Sequence, residues 1–369
     1  MQFLIENIKN SGLSSQILAK RSGLDTDRIN SIRRGESEPT MTEVRKLSKA
    51  LKAPIEFLLS KGGRFPELSI LFRKSYQKKS FQYKVDKIAY LIGNAFLILE
   101  GESFEAVLPE QLPRVENTYS NARLLAGKFR EFYCDGDFIE PLLHLPRIIA
   151  EDFKWMLFVT DLGNDTDGAS AVVNKIPFIF VASRFEPRML FTLAHELAHI
   201  IAHHGSQEDF ITIDSEIEVG RNRTKDEAFA NAFASELLMP EEGVGFTLKS
   251  IRKSLNRSGD LSDMDLIYLS RIYGVSFDVA AKRCEDLRLL PSGGAISLSE
   301  EIRKDFGNAE KRAKGLNIKE RPKPYFPKVS PILLDAAIRK IHVGKMSIGK
   351  VSEVLSIPMA EILKYKSNE

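Results

Sequence analysis

The sequence predicts a mainly helical α+β protein, and three observations predict it. Apolar residues recur three and four positions apart over most of the chain, which is the period of amphipathic helices. One short window, residues 155–183, changes to strand-like apolar runs separated by turn residues. Residues 1–60 are short helical segments broken by glycine and proline, and Gly62, Gly63 and Pro66 set them off from the rest of the chain. With 369 residues the chain has room for two or three domains. The boundaries read as a helical domain at 1–60, a basic linker at 61–80, a central domain at 81–290, a second linker at 291–328 and a small helical module at 329–369.

Net charge is only +3, but it is unevenly spread. Residues 1–79 hold 16 Lys+Arg against 8 Asp+Glu, and residues 301–369 hold 15 against 8, which leaves −12 for residues 80–300. A basic head and tail around an acidic middle place nucleic-acid contact at the ends of the chain. No run of eighteen apolar residues exists, so no membrane partner is expected. The start, MQFLIENIKNSG, lacks a basic stretch followed by a long apolar core and does not read as a signal peptide. Cys134 and Cys284 stand far apart and in no metal spacing, which fits a reduced cytoplasmic protein.

Taken in order, Phe3, Leu4 and Ile8 open a first helix. Ser14 or Ser15 can cap a second, which Gly23 ends. A third begins near Thr26 and runs through Ile29 and Ile32 to Gly35. Leu18, Ala19, Leu24, Ile29 and Ile32 form a small core between two helices joined by a glycine-containing turn, the helix-turn-helix arrangement. Val44, Leu47, Leu51, Ile55, Leu58 and Leu59 supply the covering helices. With Gln16, Leu18-Ala19, Gly23-Leu24, Ile29, Ile32, Gly35, Pro39 and Ala50-Leu51, the segment resembles the Cro/repressor-like (XRE) helix-turn-helix family. The resemblance implies binding to double-stranded DNA through Thr26, Asp27, Arg28, Asn30, Ser31 and Arg34, with Gln16 fixing the backbone and a homodimer on a palindrome. Arg28 and Asn30 are types that read guanine and adenine edges. Asp25 and Asp27 depart from the pattern, since acids near the groove repel phosphate. A helical protein-interaction module is the competing reading.

Residues 81–150 read mainly as helix, with Val85, Ile88, Ala89, Leu91, Ile92 and Leu97 periodic, and carry no evident chemistry. Trp155–Val159, Gly168–Val173 and Pro177–Val181 read as three strands. The next stretch, Phe191 to His204, is FTLAHELAHIIAHH. It holds H-E-x-x-H at His195, Glu196 and His199, and residues four apart lie on one helix face. Two imidazoles can thus meet one Zn2+, with Glu196 beside it as general base. A second helical stretch, DEAFANAFASELLMP at 226–240, carries Glu227 in its first turn. An acid there either complements the helix dipole or supplies the third ligand that an H-E-x-x-H site otherwise lacks.

The two stretches together resemble the ImmA/IrrE metallopeptidases, in which an H-E-x-x-H helix precedes a helix reading E-x-x-A-N-x-F-A-x-x-L-L-M-P. Glu227, Ala230, Asn231, Phe233, Ala234, Leu237, Leu238, Met239 and Pro240 stand at those places, and Phe191-Thr192-Leu193 matches the lead-in. Ala198 departs from a frequent glycine. The resemblance implies a zincin-like core with a small sheet, zinc held by His195, His199 and Glu227, and Glu196 as the base. His203, His204 and Asn231 are placed as neighbours of the ligand set.

Residues 205–225 read as a polar loop. Residues 261–289 form a helix pair for which packing is the stronger reading, and 330–366 repeat a helix-turn-helix-like pattern that suits a cap, a dimer module or a partner site equally. The whole implies a cytoplasmic regulator that cuts a partner protein, often a transcriptional repressor, and could serve a toxin–antitoxin or defence locus. The other readings are a transcription factor whose peptidase-like domain senses a ligand without cleaving, and an antitoxin acting by binding alone.

Overall fold

The computed structural model describes residues 2–11, 13–51, 55–59, 82–164, 166–203, 210–213 and 225–366. It is α+β and mainly helical, and divides into two compact units. The expected linker at 61–80 and His204 lie outside the described residues, as does the side chain of His203.

The first unit comprises residues 1–105, 158–164 and 328–369. Its N-terminal helices are α1 (Gln2–Asn10), α2 (Ser15–Ser22), α3 (Thr26–Arg34), α4 (Met41–Leu51) and α5 (Ile55–Leu59). Ser14 caps α2 by accepting from the Ile17 N–H at 3.3 Å, and Gly23 ends it with φ 65°, a left-handed turn that costs other residues energy. Leu4, Ile8, Leu18, Ile29, Ile32, Val44, Leu47 and Leu58 close one apolar core, as the spacing predicts. Tyr90 joins that core from α6 (Gln82–Leu99).

The same unit takes in the end of the chain, α16 (Pro331–His342), α17 (Ile348–Leu355) and α18 (Met359–Lys366). Helices α16 and α17 pack on α6. Lys340 Nζ donates to the carbonyls of Leu97 (3.0 Å) and Glu100 (2.9 Å), so a buried ammonium satisfies the negative end of α6. Arg339 pairs with Glu102, and Asn94 donates to the Val354 carbonyl. The separate module expected at 329–369 is therefore part of the N-terminal unit, and α6 belongs there too, outside the peptidase-like part where 81–290 had placed it. Helices α17 and α18 copy the spacing of α2 and α3. Ser347 accepts from the Lys350 N–H, eight helical residues come next, and Ser356 turns the chain at φ 57°.

The second unit comprises residues 106–157 and 165–327. Strand β1 (Met156–Thr160) crosses the division of the chain at residue 158, while β2 (Gly168–Val173), β3 (Ile176–Ala182) and β4 (Phe210–Ile213) belong to the second unit, in a sheet of order β1-β3-β2-β4. Strand β4 corrects the loop expected at 205–225: it pairs antiparallel with β2, Ala169 opposite Ile213 and Val172 opposite Phe210. Of helices α7 (Tyr119–Tyr133), α9 (Glu186–Ala198), α10 (Lys225–Leu238) and α11 (Glu241–Ser254), α9 packs on β2 and β3, and α10 packs on α9 and α7. The short helix α8 (Leu145–Arg147) runs into a π-type turn at Ile148–Asp152. Phe129, Phe153, Trp155 and Phe233 join α7, that turn and α10 through edge and tilted ring contacts at 5.4–6.4 Å.

Helices α12 (Asp263–Tyr273) and α13 (Phe277–Asp286) bury Leu266, Leu269, Tyr273, Phe277 and Cys284, so packing holds them. Burial pushes the Cys134 thiol up to about 11 and the Cys284 thiol up to about 12, which leaves both unreactive. The stretch expected as a linker at 291–328 instead carries α14 (Gly294–Phe306) and α15 (Ala309–Gly315). Charge clamps hold it in the unit. Glu310 accepts from both Arg271 and Arg321, Arg312 binds Asp263 at 2.8 Å, and Arg271 also caps the Ile318 and Lys319 carbonyls.

Candidate functional site

Helix α9 starts behind Pro187 and runs apolar on nearly every side, burying Met189, Leu190, Leu193, Ala194, Leu197 and Ala198. Such a helix presents polar groups only where something needs them. It presents His195, Glu196 and His199, all buried. At His199 the α-helix gives way to a π-type turn over His199–His203, a widening frequent at functional sites. Helix α10 lies against α9 and brings Glu227 and Asn231 to the same place.

The ligand-type atoms converge. His195 Nε2 and His199 Nε2 stand 3.0 Å apart. Glu227 Oε2 is 3.3 Å from His195 Nε2, and its Oε1 is 3.4 Å from His199 Nε2. Ligands held about 2.1 Å from a tetrahedral zinc would lie roughly 3.4 Å from one another, so the spacing suits that ion. His195 Nδ1 donates to Asn231 Oδ1 at 3.2 Å, which leaves Nε2 as the lone-pair nitrogen facing the centre. Burial pushes the Glu227 carboxyl up, but when the two imidazoles are protonated instead of metal-bound, their hydrogen bonds and then their charge outweigh it and hold the group well below the usual carboxylate range. His195, His199 and Glu227 thus form a group able to hold a metal ion. The Glu227 side chain is 29% exposed against 6% and 2% for the histidines, so solvent reaches the group on the Glu227 side.

Glu196 faces the sheet. Its carboxylate lies against β2, where a Cβ on Gly168 would meet Glu196 Oε1. Asp167, just before, takes two hydrogen bonds from Arg188 on α9, at 2.8 and 2.5 Å.

Behind the site two buried arginines fix the end of α10. Arg130 donates to the Leu237 carbonyl (2.7 Å) and Arg283 to that of Met239 (2.8 Å). Glu236 accepts from Arg283 at 2.6 Å and from Arg123 at 2.8 Å. No local pattern signals this clamp, since Arg123 and Arg130 lie on α7 and Arg283 on α13, all far in sequence from Glu236.

On the first unit, the predicted DNA-reading residues separate into two groups. Gln16, Asp27 and Arg34 are exposed, and Thr26 and Asn30 are half-buried on the same motif. Arg28 is occupied. Its guanidinium donates to both Glu43 oxygens (2.7 and 2.9 Å), to Ser37 Oγ (2.5 Å) and to the Glu38 carbonyl. Ser31 Oγ lies 2.8 Å from Ser37 Oγ. These two side chains tie α3 to the α3–α4 turn, and Arg28 makes four guanidinium hydrogen bonds within the fold. A hollow of about 350 Å³ instead gathers Lys9, Ser15, Asn30, Arg33 and Arg34. Arg33, half-buried, is anchored there by Ser15 Oγ (3.1 Å) and the Ile8 and Leu13 carbonyls. Lys9, Ser15 and Arg33 were not predicted; they come together only when α1, α2 and α3 pack. The hollow's cations suit a phosphate oxygen.

Among the described residues no helix is long and apolar enough to cross a membrane. Residues 150–285 match the family described as Peptidase_M78, the IrrE N-terminal-like domain. Residues 5–58 match the helix-turn-helix family HTH_3. A comparison with curated proteins finds no match.

Proposed function

We propose that this chain, an XRE-type helix-turn-helix joined to an IrrE-like peptidase domain, is a zinc-dependent endopeptidase that binds double-stranded DNA and hydrolyses a peptide bond in a partner protein. The partner class we favour is a transcriptional repressor, whose cleavage would switch gene expression. The observation that carries the reading is the convergence of His195 Nε2, His199 Nε2 and the Glu227 carboxylate, with Glu196 as the next residue on the helix.

His195, His199 and Glu227 would hold the zinc, and Asn231 would keep His195 in the ligating tautomer. When bound, zinc supplies Lewis acidity toward water and a peptide carbonyl. Glu196 takes the proton of the attacking water and passes it to the leaving amine nitrogen. The buried walls of α9 keep bulk water from this carboxylate, which favours proton transfer over solvation. On the first unit, Lys9, Arg33 and Arg34 would neutralise a DNA phosphate, and Asn30 and Gln16 would lie along the groove.

The test is incubation of the zinc-loaded protein with the proteins encoded beside it, with fragments read by mass. Glu196→Gln keeps size and shape but removes the base. Cleavage is expected to fall by about 10²–10⁴-fold while zinc content stays unchanged. Target-gene regulation that survives Glu196→Gln, together with no fragments from wild type, would turn the reading to a regulator that binds without cutting.

A further inference from the structure

We propose that Gly168 is the positioning residue for Glu196: the missing side chain on β2 is what lets the carboxylate sit where it does. The proposal deepens the peptidase reading and rests on it.

Gly168 does not need its freedom of backbone, since its φ is not in the left-handed region, and it lies in a regular ladder opposite Val181. A strand position of that kind ordinarily favours a side chain, because glycine weakens a strand. The reason for glycine here is space. An added Cβ would run into Glu196 Oε1, would stand 2.6 Å from Thr192 Cγ2 and 2.9 Å from Glu196 Cγ. Real Cβ atoms do not approach so closely. The neighbours have little room to give. Glu196 is fully buried and Thr192 is 6% exposed, both on α9, whose inward face is packed throughout.

The strand has little room either. Asp167 grips Arg188 of α9 through two hydrogen bonds, and its carbonyl accepts from the Ala182 N–H at 2.7 Å. Beyond Gly168, β2 is paired on both edges, by β3 and by β4. With strand and helix both fixed, a methyl group at 168 displaces the side-chain groups between them, the Glu196 carboxylate and the Thr192 methyl. The three atoms nearest that methyl belong to Glu196 and Thr192 and none to a metal ligand, so the base is displaced before the ligands are.

A compensating pair tests this. Gly168→Ala should retain zinc at one per chain yet lower kcat at least tenfold, with KM little changed. Glu196→Asp alone should also lose activity, because its carboxylate falls short by one methylene. Combined, the shorter side chain removes the closest of the three contacts, the one to Oε1, and leaves those to Cγ and Thr192 Cγ2. The added methyl should therefore slow Glu196→Asp by less than it slows wild type, a non-additive result. Melting temperature gives a second cycle that needs no substrate. Gly168→Ala should lower it, and adding Glu196→Ala should recover the part of the loss that comes from Glu196, leaving the part due to Thr192 Cγ2. Additive effects in both cycles overturn the proposal, as does full activity in Gly168→Ala. If wild type cuts nothing, the peptidase reading fails on that result alone, and the melting cycle still decides whether Gly168 sets the place of Glu196.

Discussion

The ligand-type atoms of two imidazoles, His195 and His199, and one carboxylate, Glu227, share one small space. Removing any one leaves too few ligands for a closed hold on zinc. We expect His195→Ala and Glu227→Ala to lose bound zinc by elemental analysis, and Asn231→Ala to weaken binding about 10–100-fold through the lost hydrogen bond to Nδ1. Equal zinc in wild type and the two ligand variants would remove the assignment. The same scale carries a pH effect in the first unit. A hydrogen bond from Arg28, and then one from the Thr40 N–H, bring the Glu43 carboxyl from 4.5 to about 2. A depressed carboxyl stabilises fully above its unfolded value and loses that contribution as pH falls through the folded one. Urea midpoints of wild type and Glu43→Gln should differ at pH 6 and converge between pH 4.5 and 2. Arg28→Ala should show the same loss of stability with no loosening of base preference. A relaxed operator sequence in that variant would return Arg28 to the groove.

At the scale of elements, helix α10 depends on charges that come from elsewhere. Glu236 sits between Arg283, 1% exposed, and Arg123. Glu236→Ala leaves Arg283 buried without its carboxylate, a loss of about 3–5 kcal/mol when one partner of a buried pair is removed. It should appear in urea unfolding of the zinc-loaded chain, and a change under about 1 kcal/mol would mean the pair is solvated. Local signals made much of this level readable. H-E-x-x-H, the capped and glycine-ended helices, and the period-2 runs mark their elements because each rests on neighbours in sequence. Residues 291–328 misled because their Gly, Pro and Lys read as loop, while Arg271 and Arg321 meeting on Glu310 depend on the fold. The partners of Arg28 depend on the fold in the same way. A sequence shows that an arginine lies on the outward side of α3, but not that Glu43 and Ser37 have already claimed it. Strand β4 is four residues long in a polar stretch, too short for its period to stand out.

For the whole molecule, both ends of the chain build one unit, and the IrrE-like part lies between those ends in sequence. Deleting residues 329–369 should therefore damage the DNA-binding unit and spare the metal centre. Without Lys340 and the apolar sides of α16 and α17, α6 is left uncovered. Calorimetry should lose the transition of the first unit, while zinc content stays near one per chain. Loss of zinc with the first transition intact would reverse that division.

This arrangement sets an order on synthesis. Helix α6 ends at Leu99, but the helices that cover it begin only at Pro331. At about 5–20 residues per second, a ribosome takes on the order of 10–50 s to cross that gap. During it, Val85, Ile88, Leu91, Ile92 and Ile98 lack the helices that bury them in the finished chain. The second unit has all of its residues before the first does. A nascent chain can thus hold the complete His195, His199 and Glu227 group while its first unit is unfinished, with the apolar sides of α6 uncovered for that interval.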